Sequence, residues 1–312
     1  MTDTHDGNRV DRREFLGAAG LGTAAVMASG LRANAEGVAK ADLLPTIQLG
    51  AYRVTRLLAG YNPVGGYSYA TPTASRHMRE WFTVERTVEF LQHCEAEGLN
   101  AFQFDLCEKV RQVLPKLYES GSELHFVCLH AERRHGTSLK ELMTYNPIAV
   151  VHHGGVTDGL FRAGKADKVH DFVKEVHDAG ALAGVSTHKP EILERIADEG
   201  WENDLFMACF QKVTRTKEEM EQELGFVTVG EPFIESDRDK MTAAIREVDK
   251  PCLGFKILAA GRRCSSDRDV AGAFKYAFNH IKKTDGVIVG MFPIYQDEVS
   301  QNARHTRKYG QV

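Results

Sequence analysis

Two rhythms alternate along the chain. Short continuous apolar runs, typical of strands buried on both faces, are separated by segments whose apolar residues recur every three or four positions. The clearest unit lies between Pro147 and Pro190. There Lys168–Ala179 carries Val169, Phe172, Val173 and Val176 at helical spacing, between one apolar run ending in His152 and His153 and another ending in Ser186 and His188. Strand, helix, strand is the unit from which parallel sheets are built.

The same rhythm predicts eight strands over Val54–Gly60, Leu99–Asp105, Leu124–Ala131, Ile148–Val151, Leu182–Ser186, Asp204–Phe210, Cys252–Leu258 and Gly286–Met291. Helices are predicted over Val84–Glu97, Glu108–Glu119, Ser138–Thr144, Lys168–Ala179, Pro190–Glu199, Arg238–Val248, Asp269–Lys282 and Asp297–Lys308. Thr83 and Gly98 bracket the first helix as cap and stop, and Pro190 and Gly200 bracket another. A Gly/Tyr/Ser/Thr-rich stretch over 65–75 reads as a loop, and Arg215–Ser236 as a charged insertion whose first part, Arg215–Glu223, reads as a solvated helix. Eight strand–helix repeats predict an α/β protein, a single (β/α)8 TIM barrel over residues 47–312. No Gly-x-Gly-x-x-Gly opens a first helix, which argues against a doubly wound sheet.

The 312 residues are 43% hydrophobic and 26% charged, ordinary for a globular protein, with a net charge of -4. No dense Lys/Arg cluster appears, so nucleic acid is not an expected partner. Six scattered cysteines contain no Cys-x-x-Cys pair and read as buried free thiols rather than a structural zinc or iron–sulfur site. Residues 1–35 differ from the rest. Arg12 and Arg13, followed by Phe15 and Leu16, precede a Gly/Ala-rich apolar run over 17–31 and the small residues Ala33, Asn34 and Ala35. This pattern resembles a bacterial twin-arginine export signal, and the run is too short to span a bilayer. The expectation is a cleaved signal over 1–35, a linker over 36–46, and a mature barrel in the periplasm or cell envelope. The twin-arginine export machinery is the expected partner, and the mature chain has no predicted transmembrane segment.

Sites in such barrels form at the carboxyl ends of the strands. The candidates there are Asn62, Gln103, Asp105, His130, Glu132, His152, His153, Ser186, His188, Cys209, Gln211, Lys256 and Met291. Side chains alternate along a strand, so His152 and His153 cannot both enter the barrel mouth. One chemistry makes the histidines and carboxylates ligands of a divalent metal such as Zn, Mn or Fe, with His153, His188 and Glu132 as the expected set. The metal would serve a sugar isomerase, epimerase or lyase. The other uses His152, His130, Lys256 and Asp105 as catalytic groups around a small carbonyl compound, a polyol or a sugar, with Asn62, Gln103, Tyr61, Ser186 and Gln211 holding the substrate. A non-catalytic ligand-binding barrel is the third expectation. The long loop over 211–237 reads as a surface excursion, with a lid as the alternative in which Glu231 faces the pocket.

At these residues the chain resembles the aldo/keto reductase superfamily. Val54–Pro63 looks like the opening strand of that family, and Gly98–Phe102 like its second. Ala149–His152 is similar to the strand carrying the family's catalytic His, and Gly184–Glu191 to the Gly-Val-Ser-Asn stretch that holds the nicotinamide amide. Asp285–Met291, followed by Glu298, Val299, Asn302, Ala303 and Arg304, resembles the last strand and helix. The resemblance implies a barrel, carbonyl–alcohol redox chemistry and an NAD(P) cofactor. Its catalytic tetrad carries over only in part. The family's Asp falls on Gln103, its Tyr on Glu108, its Lys near His130, and its His on His152.

Overall fold

The computed structural model describes residues 42–130 and 137–312. The signal-like segment over 1–35, most of the linker over 36–46, and the candidate ligand Glu132 lie outside the described residues. So does any account of their structure.

Eight parallel strands close into a barrel: β3 (Leu57–Gly60), β4 (Ala101–Phe104), β5 (His125–His130), β6 (Ala149–His152), β7 (Leu182–Thr187), β8 (Leu205–Cys209), β9 (Cys252–Phe255) and β10 (Gly286–Gly290), with β10 pairing back onto β3. Every strand neighbours the next one in sequence, and helices cover the outside. This is the predicted (β/α)8 barrel, with each predicted strand in place to within a few residues.

The first predicted strand, Val54–Gly60, is two strands. Tyr52–Thr55 is β2, paired antiparallel with β1 (Thr46–Leu49), and the barrel begins only at Leu57. Arg56 makes the break. It is 1% exposed, and its guanidinium donates to the carbonyls of Asp285 (2.7 Å), Lys282 (2.9 Å) and Gly310 (3.1 Å) while stacking on Phe278. One side chain thus ties the start of the barrel to its last strand and C-terminus. Burial lowers its pKa to about 10, against the pull of Asp285, so it stays charged. The β1–β2 hairpin has a purpose set by solvent. Its Ile47, Leu49 and Val54 pack onto Leu58, Ala101, Val127, Ala149, Val151, Leu205, Met207, Leu253 and Ile288, which fill the lumen. Without that cap, the amino-terminal end of this apolar column would face water.

The helices in chain order are α1 (Asn62–Gly65), α2 (Pro72–Trp81), α3 (Val84–Ala96), α4 (Glu108–Glu119), α5 (Leu139–Met143), α6 (Gly154–Arg162), α7 (Asp167–Asp178), α8 (Pro190–Asp198), α9 (Lys217–Leu224), α10 (Asp237–Glu247), α11 (Asp267–His280) and α12 (Glu298–Tyr309). Three were not anticipated. The loop over 65–75 contains the start of α2, opened by Thr71, whose hydroxyl accepts from the Ala74 amide. This helix buries no residue, so it leaves no apolar stripe in the sequence. Helix α6 buries Gly154, Thr157 and Asp158, which are small or polar, and is equally silent to hydrophobic periodicity. The single turn α1 is too short to show a period. The predicted N-cap Thr83 does cap α3, and Gly98 follows it at φ +85°. Among the described residues no helix is long and apolar enough to cross a membrane.

Candidate active site

The two packing clusters sort each strand's residues by face. Ala101, Val127, Ala149, Val151, Leu205, Met207 and Leu253 fill the lumen, while Phe102, Phe126, Cys128, Val150, Ala183, Val185 and Phe206 meet the helices. Continuing the alternation to the strand ends places Gln103 and Asp105 on the lumen side of β4, with Ser186 and His188 likewise beyond β7. It turns His130 and His152 outward. These two are partners in the β5–β6 register, and both rings lie against Phe172 of α7, at 6.2 and 5.0 Å between centroids. His152 also pairs its Nδ1 with the Thr157 hydroxyl at 2.7 Å. The histidine on lumen parity is His153, the N-cap of α6, whose Nδ1 accepts from the Gly155 amide at 3.1 Å. Imidazoles on three successive strands therefore do not converge.

A cavity of about 240 Å³ opens at the carboxyl ends of β3, β4, β9 and β10. Gly60 and Gly290 face each other across β3 and β10 at its rim. A Cβ on Gly60 would lie 2.8 Å from the Gly290 nitrogen, and one on Gly290 would lie 2.6 Å from Pro63 Cδ. Only glycine permits this approach. The wall combines the aromatic face of Phe255 with the carboxamides of Asn62, Gln103 and Asn302. Gln103 is 7% and Asn302 2% exposed. Asn62 is half-buried, and no side-chain hydrogen bond joins any of these three amides to the described chain. Of the residues expected to hold a substrate, Asn62, Gln103 and Tyr61 line this cavity, whereas Ser186 (1% exposed) and Gln211 (2%), at the ends of the neighbouring strands β7 and β8, lie outside its lining.

Lys256 and Glu298 supply the cavity's charge. Lys256 follows β9 at φ +58°, with Nζ 4.1 Å from the centre of the Tyr69 ring and 5.1 Å from that of Phe255. Burial pulls its pKa down, but Cys209, Tyr69 and Glu231 outweigh this and hold it above the usual lysine value, so it remains an ammonium. Burial pushes Cys209 up to about 12, with Lys256 opposing. Ala259 and Ala260 follow at φ +47° and +51°. Non-glycine residues in the left-handed region cost about 1–3 kcal/mol each, and such strain clusters at ligand loops. Tyr61 also lines the cavity, its hydroxyl donating to Cys107 Sγ at 3.0 Å. Burial, with Cys107, Asp105 and Tyr67, raises its pKa well above the usual tyrosine value. No neighbouring cation lowers it, so Tyr61 is a hydrogen-bonding phenol rather than a ready proton donor.

The tetrad positions behave as their residue types demand. Gln103 lines the cavity, whereas Glu108 is exposed at the start of α4 and pairs with Gln112. Among the described residues no three His, Cys, Asp or Glu side chains gather as a metal ion requires.

Three residues at or near the cavity were not among the candidate site residues of the sequence. Asn302 sits in the second turn of α12, and Phe255 reads as one more apolar strand residue. Asp158 on α6 is 1% exposed and accepts from the hydroxyls of Thr187 (2.6 Å) and Thr214 (2.7 Å) and pairs with His188 Nδ1 at 2.9 Å. The loop over 211–237 is pinned rather than free. Arg215 pairs with Glu223 and Asp237, Lys212 with Glu191 and Glu223, and Lys189 with Glu219.

No protein-family model matches the chain, and no curated protein does. Among solved structures the chain is similar to a glycerol dehydrogenase from Gluconobacter oxydans, at 12% identity over 85% of this chain and 90% of that one, with a TM-score of 0.48. By its own strand order and closure, the protein is a (β/α)8 barrel whose polar mouth opens at the carboxyl ends of its strands.

Proposed function

We propose that the protein is an oxidoreductase of the aldo/keto reductase type. It would bind a nicotinamide nucleotide over β9 and β10 and act on a small carbonyl compound, polyol or sugar at the barrel mouth. The observation that carries this reading is the strand-end cavity lined by three carboxamides and a lysine. Asn62, Gln103 and Asn302 offer donors and acceptors together beside Lys256, as a carboxamide and a polyhydroxylated substrate both require.

The chain's own groups fit that cofactor. Ser186 and Gln211, on adjacent strands, suit the two ends of an amide. Phe255 supplies a flat apolar face, and Lys256 a fixed positive charge for a phosphate. A nicotinamide bound there takes up or delivers a hydride. Ring stacking and the paired glycines Gly60 and Gly290 exclude water from the reacting face.

The reading includes export. The paired arginines Arg12 and Arg13 and the small residues Ala33 and Ala35 support passage through the twin-arginine machinery to the periplasm or cell envelope. That route carries folded proteins, which suits a barrel loaded with its cofactor beforehand.

The test is direct. Purified protein is titrated with NADH and NADPH, following nucleotide fluorescence and thermal stability. Saturable binding with a rise in Tm is the expected result. No change with either nucleotide, at concentrations up to about 1 mM, would sink the reading.

A further inference from the structure

We infer that His188, positioned by Asp158, is the residue that gives and takes the proton at the mouth of this barrel. The inference rests on the functional reading above and supplies the proton donor that Gln103 and Glu108 do not.

The geometry begins with α6, the helix inserted between β6 and α7. It delivers Asp158 beneath the end of β7, where one carboxylate receives four donors: the hydroxyls of Thr187 and Thr214, the backbone amide of His188 at 3.3 Å, and His188 Nδ1 at 2.9 Å. Burial raises the pKa of this carboxyl, but the bonds from His188, Thr187 and Thr214 outweigh it and hold Asp158 below the usual aspartate value. An ionised carboxylate facing Nδ1 keeps a proton there. The imidazole is then oriented, and Nε2 is the nitrogen that changes protonation.

The chain leaves room for this ring. A Cβ on Gly154 would lie 2.9 Å from Ser186 Oγ and 3.0 Å from His188 Cε1. The ring meets Phe255, which lines the cavity, edge-on at 5.6 Å and 76°. A histidine that merely filled space would not need a buried carboxylate saturated by two threonines. Of the other titratable groups, Cys209 on β8 interacts with Asp158, and it in turn interacts with Lys256 beyond β9 and Glu231 on the long loop. Lys189, next in sequence, is engaged by Glu219.

The step balances as follows. His188 would give its Nε2 proton to the carbonyl oxygen, the electrons of the C=O π bond forming the new O–H bond, while a reduced nicotinamide would supply the hydride for the C–H bond and would be oxidised in doing so. His188 is left neutral, with its Nδ1–H on Asp158. Alcohol oxidation is the reverse.

The experiment uses the full-length protein and the variants His188→Gln and Asp158→Asn, each checked for folding by circular dichroism. Nucleotide fluorescence reports binding. Single-turnover oxidation of bound NADPH by glyceraldehyde reports chemistry across pH. Side-chain ¹⁵N NMR reports the tautomer of His188. The expected wild-type tautomer is Nδ1–H. His188→Gln should bind nucleotide within about threefold of wild type yet slow turnover about 10²–10⁴-fold and lose the pH dependence of the rate. Asp158→Asn should move that pH dependence and redistribute the tautomers. Wild-type rate and pH profile in His188→Gln, or an Nε2–H tautomer in the wild type, would overturn the role of His188 alone. Failure of the wild type to bind either nucleotide would overturn the functional reading, and this reaction with it.

Discussion

Arg215 and Asp237 form a two-pronged ion pair, Nη2–Oδ1 at 2.5 Å and Nη1–Oδ2 at 2.8 Å, with side chains 1% and 2% exposed. The pair closes the base of the long excursion after β8, so α9 is tethered at both ends of its loop. Burial alone would lower the pKa of Arg215, but Asp237 and Glu223 raise it above the usual arginine value. The guanidinium is fully charged at any pH the protein survives.

Removing one partner of a buried pair leaves the other charged and unsolvated. Arg215→Met should therefore destabilise the protein by about 3–5 kcal/mol, whereas Arg215→Met with Asp237→Leu should recover much of that loss. Urea unfolding of the three proteins decides the matter. Equal losses in the single and double variants would show that the pair is not the tether.

The close approach of β3 and β10 makes a sharper steric prediction. Gly60→Ala places a methyl group 2.8 Å from the Gly290 nitrogen and 3.0 Å from the Val289 carbonyl carbon, both backbone atoms that cannot step aside. A cost of about 1–3 kcal/mol is expected. Gly272→Ala is the control for chain entropy alone, because open space surrounds the added carbon and its φ is not positive. A Gly60→Ala protein as stable as wild type would refute the contact.

Acid should loosen the last helix. Asp297 caps α12, its side chain accepting from the amides of Val299 and Ser300 while pairing with His93. Its pKa falls from 3.8 to about 2, with burial opposed by the Ser300 bonds and His93. The folded value lies below the unfolded one, so the contribution is complete above pH 3.8 and disappears as pH falls through about 2. The cap is half exposed and worth about 1 kcal/mol or less. The Tm difference between wild type and Asp297→Ala should shrink steadily between these pH values, and a difference independent of pH would contradict this account.

His152 shows how a sequence motif and a structure can diverge. It occupies the position that matches the family's catalytic histidine, yet its ring packs on Phe172 and its Nδ1 meets Thr157. His152→Ala should lower stability by about 1–3 kcal/mol through those two lost contacts. Unchanged urea unfolding would argue against its seat in the helix layer.

The sequence by itself determined the barrel. Strand and helix periods, Thr83 as a cap, and Gly98 as a stop are local properties, and eight repeats of one right-handed unit have few ways to pack. It also placed Asn62, Gln103 and Lys256 at strand ends, where the cavity lies. Only the tertiary structure decided which face each residue takes. A one-residue change of parity separates His152 from His153, and a residue-by-residue reading has no means to count it. The β1–β2 plug, the polar helix α6 and the Asp158–His188 dyad were equally hidden. Their partners lie far apart in the chain, and the burial that joins them involves small and polar groups that leave no hydrophobic period behind.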